Sequence, residues 1–139
     1  MSAEQNKALV RQSIEEILNR RNLSAIDEFI SPDFVEHEEL PPNIPPGREG
    51  PRILFGMMLD AFPDFKATIK HLIAEDDLVV LHMTWTGTQE GEFMGMPASG
   101  KRMSISVLDI IRIADGKYVE HWGVMDQAAM MQQLGAMPE

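Results

Sequence analysis

Cysteine is absent from the 139 residues, and with it go disulfides, thiolate zinc sites and cysteine nucleophiles. Its absence fits a reducing cytoplasm, where the chain is expected to reside. Basic residues are scarce. Twelve Lys and Arg stand against 22 Asp and Glu, for a formal net charge of −10. Such a surface repels phosphate backbones, so no nucleic-acid partner is expected. No apolar run approaches the roughly 18 residues that a membrane helix needs, and the opening Met-Ser-Ala-Glu-Gln-Asn-Lys lacks an apolar signal core, so no membrane partner is expected. Three spacings are also missing. There is no HxxH or HExxH, which argues against a metal site. No GxGxxG joins a strand to a helix, which argues against a nucleotide-phosphate loop. No GxSxG elbow is present, which argues against a serine hydrolase. No cofactor is expected.

What is present suffices for one domain over residues 1–139, with 44% hydrophobic residues to build a core. Methionine is abundant, with 11 residues. Its adaptable side chain suits the wall of a cavity, with ordinary core filling as the plainer reading.

The periodicities divide the chain into helices followed by strands. Val10, Ile14, Ile17 and Leu18 make one helical stripe. A short second helix is predicted after Ser24, with Ser24 and Asp27 resembling a capping box and Ile26, Phe29 and Ile30 as its apolar face. Ser31-Pro32-Asp33 predicts its end, and Phe34 to His37 reads as short and extended. Residues 38–51 hold five prolines and two glycines, a loop long enough to suggest function. Pro51 can open a third helix with Leu54, Met57, Met58 and Ala61 on its buried stripe. Four strands are predicted at Phe65–Ala74, Leu78–Thr88, Arg102–Ile113 and Lys117–Met125, with Asp115-Gly116 as a two-residue hairpin turn. A tail helix from Asp126 to Leu134 follows, with Gly135 just past its end. Helices grouped before strands indicate an α+β fold, and a curved antiparallel four-stranded sheet under three N-terminal helices would enclose a pocket.

Several runs resemble the SnoaL-like polyketide cyclase family of the nuclear-transport-factor-2-like superfamily. They are Ala61-Phe62-Pro63-Asp64-Phe65, Thr86-Gly87-Thr88 with Gly91-Glu92-Phe93-Met94-Gly95, and Gly100-Lys101-Arg102. Asp115-Gly116-Lys117, Glu120-His121-Trp122, Asp126 and Gln133-Leu134-Gly135 continue the pattern over nearly the whole chain. The resemblance implies a cone-shaped roll, frequent dimers, and a cofactor-free intramolecular aldol cyclisation of polyketide esters. A looser resemblance to ketosteroid isomerases places their oxyanion-holding aspartic acid at Asp109 and their base near His37. Their tyrosine falls near Ile14, which cannot donate a hydrogen bond, and this argues against steroid isomerisation.

Aldol chemistry needs a base beside a carbonyl and an acid for the resulting oxyanion. Asp126, at the end of the last strand, is the expected main acid/base, and capping the tail helix is its other reading. His121 is the expected assistant, as the usual neutral-pH proton shuttle, against a hydrogen-bonded sheet histidine. Asp109, in an apolar strand, must be partnered or protonated. It serves either as a neutral donor to an oxyanion or as the partner of Arg102 or Arg112. His37, among Glu36, Glu38 and Glu39, is either catalytic or a surface histidine. Trp85, Trp122, Phe93 and Met57 are expected against the substrate, with packing as the alternative for each. His82 stands where the family often has arginine, and His71 reads as structural or exposed.

Two functions follow. One is an acid–base enzyme acting on a small hydrophobic carbonyl compound, as a cyclase, isomerase or hydrolase. The other is a non-catalytic ligand-binding or dimerising module. Apolar residues occur at both parities of the strands, as in Val79, Val80 and Leu81 or Val107, Leu108 and Ile110. The outer sheet face is therefore expected to need cover, and a homodimer is the expected partner state.

Overall fold

The computed structural model describes residues 1–135. Helix α1 (Ala3–Ser13) starts with a reciprocal capping box between Ser2 and Gln5. It runs into a π-helical turn at Ile14–Asn19. The predicted stripe is kept through that wider turn, with Val10, Ile14, Ile17 and Leu18 all buried in the core and Ser13 on the cavity wall.

Two expectations fail in the next segment. Ser24 does not cap a helix; its hydroxyl donates to Asn22. Helix α2 (Ile26–Phe29) ends one residue early, because Ile30 already belongs to strand β1 (Ile30–Glu36). Ser31-Pro32-Asp33 is thus strand, not a break. Burying Ile30 and Phe34 drives this, and Pro32 is tolerated because β1 lies at a sheet edge, where a missing N–H costs no ladder bond.

Helix α3 (Glu49–Ala61) begins two residues before Pro51. The strands β2 (Lys66–Glu75), β3 (Leu78–Thr88), β4 (Arg102–Ala114) and β5 (Lys117–Met125) follow closely where the sequence predicts them, and α4 (Gln127–Gln133) closes the described chain. The Asp115-Gly116 turn has positive φ at both residues, 51° and 74°, as a twisted hairpin requires.

Among the described residues the sheet has five strands, not four, in the order β1-β5-β4-β3-β2. It is curved and open, with antiparallel neighbours throughout except that β1 runs parallel to β5. Among the described residues there are four α-helices, the three expected before the antiparallel strands and the tail helix, with a π-helical and a 3-10 turn besides. Strict alternation sorts the two faces. Val79, Leu81, Met83, Val107, Ile111 and Ile113 are buried under the helices, while Leu108 and Ile110 are exposed on the outer face.

Candidate active site

A cavity of about 150 Å³ opens between the helices and the inner sheet face, roughly the room that accepts a benzene ring. Its walls are apolar, with Ile14, Leu18, Phe34, Met58, Met83 and Met103 among them. Among the polar side chains of its lining are Glu36 from β1, Asp109 from β4 and His121 from β5.

His121 sits between the other two. Its Nδ1 lies 2.6 Å from Glu36 Oε1 and its Nε2 2.7 Å from Asp109 Oδ1. Only imidazolium donates from both nitrogens, so the geometry holds His121 charged. Burial opposes that charge, yet the hydrogen bonds to Asp109 and Glu36 prevail and push its pKa up to about 10. All three side chains are less than a fifth exposed, where charge-assisted bonds are strong.

Glu38 joins from the segment after β1. Its N–H bonds Glu36 Oε1 at 3.0 Å, and a carboxylate oxygen of Glu36, one of Glu38 and a ring nitrogen of His121 lie within 4.8 Å of one another. Burial first, and then the charges of Asp109 and Glu36, push the Glu38 pKa up, against the attraction of His121.

Tyr118 and Ser13 form a second polar pair on the cavity wall. Ser13 spends its only proton on the Val10 carbonyl at 2.7 Å, so the Tyr118 hydroxyl is the donor to Ser13 Oγ. Burial raises the phenol pKa and keeps it neutral.

Of the residues singled out from the sequence, Asp109, His121, Trp85 and Phe93 line this cavity. Asp109 takes His121 as its partner and neither arginine. Arg112 points to the outer face, where it binds Asp77 at 2.8 Å and Glu120 at 3.0 Å, and Arg102 lies 3.6 Å from Asp64.

Four others lie outside the cavity lining. Asp126 is exposed and caps α4, accepting from Ala129 N at 3.0 Å. Trp122 stands on the outer face opposite Ile110, with His37 stacked on it at 4.7 Å between ring centres. His37 bonds Glu120 at 2.9 Å and not its sequence neighbours. Met57 is displaced by the helical phase, and Leu54 and Met58 line the cavity instead. The histidines do not converge. His82 pairs with His71 on the outer face, Nδ1 to Nδ1 at 3.0 Å, far from the setting of His121.

Sequence reasoning missed Glu36, Glu38, Tyr118 and Ser13. The only signal for the two glutamates was the acidic run around His37, which drew attention to the histidine itself.

A profile described as SnoaL-like polyketide cyclase matches residues 8–134. The nogalonic acid methyl ester cyclase of Streptomyces nogalater is 28% identical over 112 residues, which span 79% of this chain and 83% of that enzyme. TsrD from Streptomyces laurentii superimposes with a TM-score of 0.89 at 29% identity, covering 99% of both chains. IdmH from Streptomyces antibioticus gives a TM-score of 0.81 at 33% identity, over 94% of this chain and 99% of its own. With the fold, the cavity and a match along nearly its whole length in agreement, the chain belongs to the SnoaL-like polyketide cyclase family.

Proposed function

We propose that the protein is a cofactor-free acid–base enzyme that closes a ring in a hydrophobic, polyketide-type ester by an intramolecular aldol step. The observation that carries this reading is the clasp of His121 between Glu36 and Asp109 on the wall of a largely apolar cavity. An imidazolium with both protons engaged is a poor base. It serves instead to fix the Glu36 and Asp109 carboxyl groups in place through charge-assisted hydrogen bonds.

Asp109 is the base. It faces the cavity, and only its Oδ1 is engaged by His121. Its carboxylate takes a proton from the carbon beside a carbonyl, the resulting enolate attacks a second carbonyl of the same molecule, and the new alkoxide takes up a proton. Carbon–carbon bond formation leaves no net change in charge or oxidation state, so no redox partner is needed. The apolar wall holds the folded-up ester and keeps competing water away from the enolate.

The test is turnover of nogalonic acid methyl ester, the compound in the name of the Streptomyces nogalater relative. Asp109→Asn should lower the rate by about 10²- to 10⁴-fold, the usual contribution of a positioned proton-transfer group. Binding of the ester without any ring closure would favour a ligand-binding module over an enzyme.

A further inference from the structure

The cyclisation needs a proton donor for the new alkoxide as well as a base, and Asp109 supplies only the second role. Gly123 indicates where the donor comes from. It lies within β5, directly opposite Asp109. A Cβ built on it would stand 2.5 Å from Asp109 Oδ1, 2.6 Å from Glu38 Oε1 and 2.7 Å from His121 Cε1. Side chains from β4, β5 and the segment after β1 thus converge on the volume of one missing methyl group. The backbone of Gly123 is not among those with positive φ, so its conformation does not call for glycine. Glycine inside a strand weakens the strand, and close approach of other groups is the usual reason to find one there.

We propose that Glu38 is a further catalytic residue, the proton donor to the oxygen formed in ring closure, and that Gly123 is the positioning residue that admits Glu38 to the side of Asp109 and His121. This rests on the acid–base reading above. The charged groups facing Glu38 are Asp109 from β4, His121 from β5 and Glu36 from β1, and Glu39 lines the same cavity. His121 commits one N–H to Glu36 and the other to Asp109, and none to Glu38. When three carboxyl groups share one cation, the one without a hydrogen bond to it is the one that keeps a proton.

The step balances. Asp109 gains the proton from carbon as the new carbon–carbon bond forms. The Glu38 O–H bond breaks as the alkoxide oxygen takes its proton. A proton passing from Asp109 to Glu38 across the gap beside Gly123 then returns both groups to their starting states.

Two measurements test this. The first is an NMR titration of ¹³C-labelled glutamate carboxyls in the wild type and in Gly123→Ala. The second is the pH profile of nogalonic acid methyl ester turnover in the wild type, Gly123→Ala and Glu38→Gln. The expected result is a Glu38 that titrates above the other glutamates and returns among them in a folded Gly123→Ala, with the alkaline limb of the rate moving to lower pH. Glu38→Gln should lose about 10²- to 10⁴-fold in rate together with that limb. A wild-type Glu38 that titrates with the other glutamates, or a Glu38→Gln that keeps its rate and alkaline limb, overturns the proposal. Should Gly123→Ala fail to fold, those two results still decide the role of Glu38. A wild type without turnover defeats the acid–base reading instead, and the titration then separately decides whether Gly123 sets the proton affinity of Glu38.

Discussion

His121 reaches Asp109 across a diagonal of the β4–β5 ladder. Ile111, not Asp109, stands opposite His121, and Gly123 stands opposite Asp109. Diagonal neighbours on one face are within reach of a long or aromatic ring, and the empty position at Gly123 lets the imidazole lean over to within 2.7 Å of the carboxylate. The same ring reaches Glu36 with its other nitrogen, because β1 lies beside β5 with Glu36 in register with His121.

This clasp has a signature in stability against pH. His121 has a folded pKa of about 10, raised from 6.5. A raised pKa stabilises the fold fully below the unfolded value and loses that contribution as pH rises through the folded one. Unfolding by urea should therefore show stability falling between about pH 6.5 and 10, by at most about 1.4 kcal/mol per pH unit for one proton. His121→Gln should be less stable at neutral pH and should lack that slope. Equal slopes in the two proteins would mean that His121 is not held charged.

Asp126 should behave as a helix cap. Asp126→Asn is expected to keep both melting point and turnover, since asparagine caps nearly as well. Asp126→Ala should cost about 0.5–2 kcal/mol of stability with turnover unchanged in the folded protein. A loss of turnover in a stable Asp126→Asn would return the acid/base role to this residue.

The outer sheet face carries Leu108, Ile110 and Val124 at 46%, 39% and 65% exposure. An apolar face of this kind on an antiparallel sheet needs cover, and a second copy of the chain is the expected cover. Light scattering should give a dimer at micromolar concentration, and Leu108→Asp with Val124→Asp should shift it toward monomer while leaving the inner cavity intact. A wild-type monomer under those conditions would count against the pairing.

Chelation should leave turnover untouched. Glu36, Glu38 and His121 have the composition of a ligand set, but both His121 nitrogens already face carboxylates. Activity that disappears after dialysis against EDTA and returns with zinc would replace the acid–base account by a metal-assisted one.

The sequence by itself determined the elements whose signals are local. The apolar stretch from Arg102 to Ile113 set β4, where Ile105, Val107 and Ile111 are buried, and Asp115-Gly116 set the hairpin to β5. Those two strands also carry Asp109 and His121, so half of the polar cluster was legible. The tertiary structure alone decided the other half. Glu36 lies 85 residues from His121 in the chain, and their contact exists only because β1 pairs in parallel with β5. No local spacing encodes a parallel pairing between strands so far apart. A proline in β1 disguised that strand as a break, since the edge position that excuses Pro32 is a property of the sheet and not of the segment. Gly123 looked like any other glycine until three side chains were found around the space where its Cβ would be. Asp126 had two chemical readings in the sequence, acid or cap, and the cap became visible only in the structure, where its side chain accepts from the Ala129 N–H.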